Sequence, residues 1–239
     1  MILAAGLGTR MHSETPKHLH PLLGRRLADW VIESVRGLGP DPLVVVTSPD
    51  AREAFEGETV AVQQEPRGTA DAVLAARGVV DDAPFLVLNS DNYYPVGAYS
   101  ALADLGGSGL IAFESETLVR EGGIEAERVL KYALIDATDD GWLRAIREKP
   151  AADDPLALRA ERWVSMNVWS FTPVIFEACE RIQPSARGEL EIQDAVTLAM
   201  NELGERFRVL PMRAGELDLS SRADIAFVAS RLTGVVPRP

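Results

Sequence analysis

The sequence has little of what several classes of protein require. Its 239 residues include one cysteine and three histidines, too few for a disulfide framework or for a zinc-type ligand set. No apolar run approaches the roughly 18 residues of a membrane-spanning helix, and residues 1–6 lack the basic start of a signal peptide. These absences predict a cytoplasmic protein without a membrane partner, and they favour a buried structural role for Cys179 over a nucleophilic one.

Positive charge is also scarce. The chain has 24 Lys and Arg against 36 Asp and Glu, a formal net charge of −12, which opposes the binding of a polyanion across a broad surface. We therefore expect no nucleic-acid partner. Residues 1–26 depart from this balance, because they contain four basic residues and a single acidic one, Glu14. A small basic region in an acidic protein favours a small anionic ligand.

Short apolar runs alternate with helical periods, which predicts an α/β protein with parallel strands joined by right-handed crossovers. The predicted strands are residues 2–5, 43–47, 59–63, 85–88, 110–113, 131–135, 143–148 and 163–171, and the predicted helices are residues 27–38, 68–80, 173–182, 192–203 and 221–232. A hairpin is expected across residues 139–141. Residues 150–155 are interpreted as a surface loop within one domain spanning residues 1–239. No internal repeat is visible, so we expect no left-handed β-helix domain.

The first predicted strand leads into a glycine loop. Gly6 and Gly8 allow a tight turn whose N–H groups can point together at phosphate oxygens. Two other phosphate-binding loops do not match, because a dinucleotide fold needs a third glycine where Met11 stands and the P-loop sequence Gly-Lys-Ser/Thr is absent. A proline fixes the backbone just before Lys17, so that Arg10 and Lys17 can both return over the same anion.

Residues 3–11, together with the Pro-Lys pair at residues 16–17, resemble the signature of the sugar-phosphate nucleotidyltransferases, or nucleotide-sugar pyrophosphorylases. The resemblance implies a Rossmann-like three-layer α/β/α nucleotidyltransferase fold with a mixed, mostly parallel sheet. It implies a nucleotide-binding part at about residues 1–105 and a sugar-phosphate-binding part at about residues 106–239. It also implies that the loop wraps the triphosphate while Arg10 and Lys17 neutralise it, with nucleotide contacts from Leu3, Ala4, Ala5, Gly6, Gly8 and Thr9.

Residues 63–70 follow a predicted strand and open a predicted helix. An amide side chain can pair with the edge of a base as donor and as acceptor, and a glycine lets the base approach the main chain. In pyrimidine-using members of the family, a glutamine five positions before a Gly-Thr pair reads uracil or thymine. Gln63 stands at that spacing from Gly68 and Thr69. The resemblance therefore implies UTP or dTTP, with the choice between them open.

Asp91 follows the buried strand predicted at residues 85–88, at the sheet edge where α/β proteins bind ligands. Mg²⁺ prefers oxygen ligands, and the resemblance implies that Asp91 holds this cofactor against the α-phosphate. Ser90 occupies a position that is usually glycine in the family and is expected to border the nucleotide. The second ligand is expected to be Asp218. An alternative alignment puts Ser220 in that place, although a carboxylate binds Mg²⁺ better than a hydroxyl does.

Sugar recognition requires hydrogen-bonding groups for the hydroxyls and a cation for the phosphate. Glu148 and Lys149 resemble the family's Glu-Lys-Pro element, which implies that Glu148 accepts from ring hydroxyls and that Lys149 contacts the phosphate. Asn167 resembles an asparagine that contacts the sugar, and Glu189 lies in a segment similar to another substrate element. Ala133 stands where many members have glycine, which adds a methyl group near the acceptor.

The implied reaction joins a nucleoside triphosphate to a sugar 1-phosphate, giving a nucleotide sugar and pyrophosphate by in-line attack on the α-phosphorus. Arg10, Lys17 and Lys149 are the expected catalytic residues. Two alternatives stay open. One is a cytidylyl- or guanylyltransferase of the same fold that acts on phosphocholine, mannose 1-phosphate or another phosphorylated acceptor, and the other is a non-catalytic nucleotide-binding regulatory protein. Self-association into a homo-oligomer is also compatible with the sequence.

Overall fold

The computed structural model of the chain describes residues 1–6 and 16–237. Within these residues a nine-stranded mixed sheet is flanked by helices on both faces. The strands are β1 (Ile2–Ala4), β2 (Pro21–Leu22), β3 (Arg25–Arg26), β4 (Val44–Thr47), β5 (Thr59–Val62), β6 (Phe85–Asn89), β7 (Asn92–Tyr93), β8 (Gly109–Glu114), β9 (Ala133–Ala137), β10 (Leu143–Arg147), β11 (Trp163–Phe171), β12 (Arg208–Met212) and β13 (Leu217–Asp218). The helices are α1 (Leu27–Arg36), α2 (Thr69–Ala75), α3 (Val96–Ala103), α4 (Ser115–Gly122), α5 (Val174–Arg181), α6 (Ile192–Glu202) and α7 (Asp224–Leu232), and 3₁₀ turns lie at Lys17–Leu19, Pro49–Phe55, Arg77–Val79 and Ala126–Lys131.

The main sheet runs in the order β10-β9-β11-β6-β1-β4-β5, and β8 pairs with both β11 and β12. Strands β6, β1, β4 and β5 pair in parallel, with Ile2 opposite both Val45 and Leu88. Strand β11 accounts for most of the antiparallel pairing, because it meets β6, β8 and β9 in that orientation. A mixed sheet with a parallel centre confirms the predicted fold class.

Strand β11 changes neighbours part-way along. Residues 163–165 pair with β9 and residues 169–171 pair with β6, and the register against β8 shifts between Ser165 and Trp169. Asn167 lies in this break with a φ of 57°. Asparagine tolerates this left-handed conformation better than most residues do. The sequence predicts the strand but not its interruption.

Each face of the sheet packs against its own set of helices. On one face α1, α3 and α4 bury an apolar layer that includes Val31, Tyr99 and Leu118. On the other face α2, α5 and α6 bury a second layer that includes Val73 and Phe176. Because both faces are covered, the central strands are apolar on both sides, and β4 is buried at every position. This is the three-layer arrangement that the resemblance implies.

The sequence pattern does not predict α3, α4 or β12. Strand β12 contains Pro211, which argues against a strand in a sheet interior. Among the described strands β12 pairs with β8, and its first residue, Arg208, also forms an isolated bridge with Trp142; Pro211 thus lies on an edge, where a missing N–H is tolerated. The five predicted helices are all shorter in the structure, two of them by three residues or more. The helix expected over residues 68–80 ends at Ala75 and continues as a 3₁₀ turn, and the one expected over residues 221–232 begins at Asp224.

The predicted hairpin and the predicted burial of Cys179 agree with the structure. Strands β9 and β10 form an antiparallel hairpin around residues 139–141. Cys179 is buried in α5, and burial raises the pKa of its thiol to about 12, which leaves it protonated and unreactive at neutral pH. Among the described residues, no helix combines the length and the apolar character needed to cross a membrane.

Candidate active site

A cleft of about 550 Å³ lies at the carboxyl ends of β1, β5 and β6. In sheets of this type the strand ends leave a crevice in which ligands bind. The described residues that border it are Leu3, Ala5, Gly6, Lys17, His18, Gln63, Pro66, Gly68, Thr69, Ala72, Asn89, Ser90, Asp91, Lys149, Glu189 and Ser220. Most of the residues proposed from the sequence for nucleotide binding are therefore close together.

Strand β1 delivers the start of the glycine loop to this cleft. Leu3, Ala5 and Gly6 border it, whereas Ala4 points into the core beside α1. Ser90 is joined to this strand, because its N–H donates to the carbonyl of Leu3 at 3.0 Å. Three residues predicted to bind the triphosphate, Gly8, Thr9 and Arg10, lie outside the described residues, so their roles stay predictions.

Lys17 lies between two carboxylates that are distant in sequence. Its ammonium Nζ is 2.5 Å from Oδ2 of Asp91 and 3.9 Å from Oδ1 of Asp218. The lysine is only 7% exposed, and a buried ammonium of this kind requires anionic partners. The sequence proposed all three residues for one site, and the structure brings them together.

The short ribbon of β7 and β13 sets Asp218 beside Asp91. Asp218 lies opposite Asn92 in this antiparallel pair, and the N–H of Leu219 donates to the carbonyl of Asp91 at 3.1 Å. Asp91 itself follows the end of β6 in the central sheet. Backbone pairing therefore holds both carboxylates at the same strand ends, independently of Lys17.

One oxygen of Asp218 is saturated with hydrogen bonds and the other is not. Oδ2 accepts from Arg128 Nη2 at 2.8 Å, from the Tyr132 hydroxyl at 2.6 Å and from the Ser220 hydroxyl. Burial, reinforced by the Asp218 charge, raises the pKa of Tyr132, so it stays a neutral donor. These donors orient the carboxylate and leave Oδ1 toward Lys17.

The two residues that the sequence offers as second metal ligand are therefore direct neighbours. Ser220 borders the cleft, while its hydroxyl donates to Asp218. Asp218 is only 6% exposed. Asp218 does not border the cleft, but its Oδ1 lies 3.9 Å from Nζ of Lys17, which does. The choice of Asp218 over Ser220 stays a prediction.

The donor set fits a magnesium ion that is shared with a phosphorylated ligand. Mg²⁺ is commonly held by one or two carboxylates, with phosphate oxygens and water completing its coordination. Asp91 and the free oxygen of Asp218 converge on one point, marked by Lys17. Across residues 1–6 and 16–237 no group of three or more His, Cys, Asp or Glu side chains could hold a metal ion, so phosphate oxygens and water would have to supply the remaining ligands.

A further carboxyl group, Glu216, lies beneath this pair. Its side chain is fully buried, and Oε1 accepts from Asn92 Nδ2 at 2.7 Å. Oε2 has no hydrogen-bond partner within the described chain. Burial, with the charge of Asp218 second, raises the pKa of Glu216 well above its ordinary value. A neutral Glu216 adds no negative charge to the two carboxylates above it.

The segment proposed for base recognition is clamped to the start of α6. The N–H of Leu190 donates to the carbonyl of Arg67 at 2.7 Å, the N–H of Ala70 donates to the carbonyl of Leu190 at 2.9 Å, and the N–H of Ile192 donates to the Thr69 hydroxyl at 3.0 Å. Gly68 has a φ of 122°, and a Cβ there would lie 2.5 Å from the Leu190 carbonyl oxygen. Glycine is thus required by this backbone contact, whatever a base requires.

The residues proposed for sugar binding lie further from the centre of the cleft. Lys149 and Glu189 border it, whereas Glu148, Asn167 and Ala133 do not reach its described lining. Lys149 Nζ lies 3.5 Å from Oε1 of Glu148, and burial raises the pKa of that carboxyl. Oδ1 of Asn167 accepts from Gln193 Nε2 at 3.0 Å, and Ala133 is buried in β9.

Residues 1–213 match the sequence profile of the nucleotidyl transferase family. The chain belongs to this family of enzymes. Among curated relatives, the bifunctional protein GlmU of Thermus thermophilus is 33% identical over an alignment that covers the whole chain and 51% of the relative. The low-salt glycan biosynthesis nucleotidyltransferase Agl11 of Haloferax volcanii is 30% identical over 82% of the chain and 55% of the relative. The chain spans about half the length of the curated relatives it matches.

Two solved structures share the fold of this chain. A UDP-glucose pyrophosphorylase in complex with UDP-glucose superposes with a TM-score of 0.78 at 20% identity, covering 98% of this chain and 97% of the other. A glucose-1-phosphate thymidylyltransferase from Bacillus anthracis, described as putative, superposes with a TM-score of 0.78 at 17% identity, with coverage of 98% and 95%. At these identities the likeness concerns the fold alone.

Several residues that shape the site of this family member are not identified from the sequence. Arg128 and Tyr132 lie in or beside a 3₁₀ turn with no motif around them, yet they bind Asp218. Arg187 lies 3.4 Å from Glu148 and pairs with Glu191. The one clue in the sequence is the residue type, because arginine and tyrosine commonly form hydrogen bonds with acidic side chains. Their partners are set by segments far away in the chain.

Proposed function

We propose that this chain transfers a nucleoside monophosphate from a nucleoside triphosphate to a sugar 1-phosphate and releases pyrophosphate. The observation that carries the proposal is the convergence of Lys17, Asp91 and Asp218 at the carboxyl end of the central sheet. Membership of the nucleotidyl transferase family supports the reaction class. Similarity to a glycan biosynthesis nucleotidyltransferase and to a UDP-glucose pyrophosphorylase structure supports a sugar phosphate as acceptor.

In the proposed reaction an oxygen of the sugar 1-phosphate attacks the α-phosphorus of the triphosphate. A new P–O bond forms, the bond from the α-phosphorus to the bridging oxygen of the β-phosphate breaks, and pyrophosphate leaves with that electron pair. The attacking oxygen is already anionic, so the protein needs neither a general base nor a covalent intermediate. What the protein must do is hold two anions together and stabilise the charge on the leaving group.

The charged residues divide these tasks. Lys17 is buried, so its charge acts in a medium of lower dielectric than water and is effective on a phosphate. Lys149 is about half exposed at the other side of the cleft, where a sugar phosphate could approach it. Asp91 and Asp218 would hold Mg²⁺, which when bound screens the repulsion between the phosphate groups. Arg10 is assigned to the triphosphate from the sequence resemblance.

The proposed base is uracil or thymine, read by Gln63 and the main chain at Gly68. Both residues border the cleft and belong to the proposed nucleotide part of about residues 1–105. Thr69 supports the position of this loop through its bond to Ile192. Leu3, Ala5, Gly6 and Ser90 would border the rest of the nucleotide.

The proposed sugar site uses residues from the part of the chain after about residue 106. Glu148, Asn167 and Glu189 would provide acceptors and a donor for hydroxyls, and Ala133 would limit the space beside them. Asn167 and Lys149 both have positive φ, 57° and 44°. Strained positions of this kind are concentrated at binding sites, which supports the assignment.

A pyrophosphate-release assay tests the function. The purified chain is incubated with Mg²⁺ and each pair from UTP, dTTP, CTP, GTP and ATP with glucose 1-phosphate, N-acetylglucosamine 1-phosphate, mannose 1-phosphate or phosphocholine. We expect release with UTP or dTTP and a sugar 1-phosphate, and a loss of release in Lys17→Met. Lys131→Met is the matched control, because Lys131 is exposed and does not border the cleft. Nucleotide binding without pyrophosphate release from any pair would favour a non-catalytic regulatory protein. Pyrophosphate release with CTP and phosphocholine would favour a cytidylyltransferase of the same fold.

A further inference from the structure

The amide group of Gln63 is held in one orientation. Its Nε2 donates one hydrogen to the carbonyl of Gly68 at 3.0 Å and the other to Oδ2 of Asp71 at 2.8 Å. A carbonyl and a carboxylate can only accept, so the amide nitrogen must face both of them. The amide is therefore assigned by its surroundings, since a flipped amide would place Oε1 against two acceptors.

This orientation leaves one polar atom for a ligand. Gln63 borders the cleft, and in the described chain Oε1 of Gln63 has no hydrogen-bond partner. The residue is only 5% exposed, but Oε1 is not among the fully buried unpaired atoms, so this oxygen is open to the cleft, where water or a ligand can donate to it. Gln63 thus offers the cleft an acceptor and no donor.

Asp71 is itself firmly held. It lies in the first turn of α2 and is 8% exposed, and its Oδ1 accepts from Arg67 Nη2 at 2.5 Å. Each oxygen of the carboxylate thus has its own donor. The Gly68 carbonyl is held by the loop that packs on Leu190, but a single carbonyl accepts only one of the two amide hydrogens. The second hydrogen depends on Asp71.

We propose that Asp71 is a positioning residue that determines base specificity by presenting Oε1 of Gln63 to the cleft. A base with a ring N–H can donate to this oxygen, as uracil and thymine do through N3–H. Cytosine has an unprotonated N3, which would face Oε1 as a second acceptor. This inference rests on the proposed function in one respect, that the base lies against Gln63.

Binding of UTP and CTP tests the inference separately from turnover. Isothermal titration calorimetry with Mg²⁺ compares the wild type, Asp71→Asn and the control Asp136→Asn. Asp136 is equally buried and is paired with Arg144 and Arg159, but it does not border the cleft. UTP and CTP share ribose and triphosphate, so a general loss of structure weakens the binding of both nucleotides. A change in the orientation of the Gln63 amide instead alters the ratio of the two affinities.

We expect the wild type and Asp136→Asn to bind UTP at least about tenfold more tightly than CTP, which is the usual scale for one mismatched buried hydrogen bond. In Asp71→Asn the side-chain amide can offer either a donor or an acceptor, and we expect the ratio to fall at least about fivefold. If Asp71→Asn keeps the same ratio of UTP to CTP affinity as Asp136→Asn, the proposed role of Asp71 is wrong.

A ligand series on the wild type removes any dependence on the folding of the variant. 3-Methyluridine triphosphate lacks the N3–H, and we expect it to bind at least about tenfold more weakly than UTP. Equal binding overturns the inference. A wild type that turns over UTP while Asp71→Asn keeps the wild-type binding ratio refutes Asp71 alone. A wild type that discriminates in binding but releases no pyrophosphate with any acceptor refutes the proposed function alone.

Discussion

Replacing Gly68 by alanine tests how the loop proposed to bind the base is built. Gly68 has φ 122° and ψ 177°, a region that is essentially restricted to glycine. An added Cβ would lie 2.5 Å from the carbonyl oxygen of Leu190, 2.7 Å from its nitrogen and 2.9 Å from its carbonyl carbon. These contacts are with backbone atoms, so no side-chain rotation can relieve them.

The loss of stability in Gly68→Ala can be estimated from the backbone strain at residue 68 and from the separation of this loop from Leu190. The backbone conformation alone costs alanine about 1–2 kcal/mol. Separating the two segments breaks the hydrogen bonds that join Leu190 to Arg67 and Ala70, and each contributes about 1 kcal/mol net. We therefore expect Gly68→Ala to lower the free energy of unfolding by about 3–4 kcal/mol. UTP should also bind more weakly, because Gln63 donates to the displaced Gly68 carbonyl.

Two other glycines separate the causes. Gly57 has a φ of 100° with no atom within 4 Å of its added Cβ, and Gly78 has neither a positive φ nor a close neighbour. Urea unfolding should show losses of about 1–2 kcal/mol for Gly57→Ala and under about 0.5 kcal/mol for Gly78→Ala. If Gly68→Ala loses no more stability than Gly57→Ala, the backbone contact with Leu190 is not what requires glycine.

Three further predictions concern charged groups. Asp91→Asn should lower kcat at least about 100-fold and should also lower the free energy of unfolding by about 2 kcal/mol, because Lys17 keeps only the more distant carboxylate of Asp218; turnover at the wild-type rate by the folded variant would contradict the proposed role of Asp91. Arg128→Gln should lower the free energy of unfolding by about 2 kcal/mol, because the carboxylates of Asp218 and Asp224 lose their shared cation; an unchanged urea curve would count against this network. Burial lowers the pKa of His18 from 6.5 to about 4. As the pH falls, the unfolded chain therefore takes up a proton on His18 before the folded chain does. The stability that the neutral, buried His18 contributes above pH 6.5 is lost as the pH falls toward 4. Between about pH 7.5 and about pH 5 the wild type should therefore lose about 2 kcal/mol more than His18→Gln does, and equal losses would show that this histidine titrates normally.

Much of the fold could be predicted because the signals are local. The apolar runs at β1, β4, β5 and β6 and the stripe along α1 each depend on neighbouring residues, and both faces of the sheet are covered as expected. Of the elements that were missed, α3 and α4 are only eight residues long, and β2, β3, β7 and β13 only two. Pro211 in β12 would normally exclude a strand, and only its position at the sheet edge makes that strand acceptable.

In the candidate site, too, the residues with local sequence patterns could be predicted and those with distant partners could not. Glycine loops, the residues after buried strands and the Gln-to-Gly-Thr spacing are short-range patterns, and the sequence proposed Lys17, Asp91 and Gln63 from them. The donors to Asp218 could not be found in this way, because Arg128 lies 90 residues from it in the chain. The partner of the Gln63 amide, Asp71, lies within the same segment, but only side-chain orientation shows that both amide hydrogens are used.

The sequence by itself determined the alternation of strands and helices, the family and most of the residues that border the cleft. Tertiary structure alone decided which oxygen of Asp218 is free, why Gly68 must be glycine and which atom of Gln63 faces the cleft. The reason is that periodicity and turn chemistry depend on the backbone preferences of adjacent residues. The partners of a buried polar atom depend instead on which distant segments the folded chain brings within about 3 Å of it.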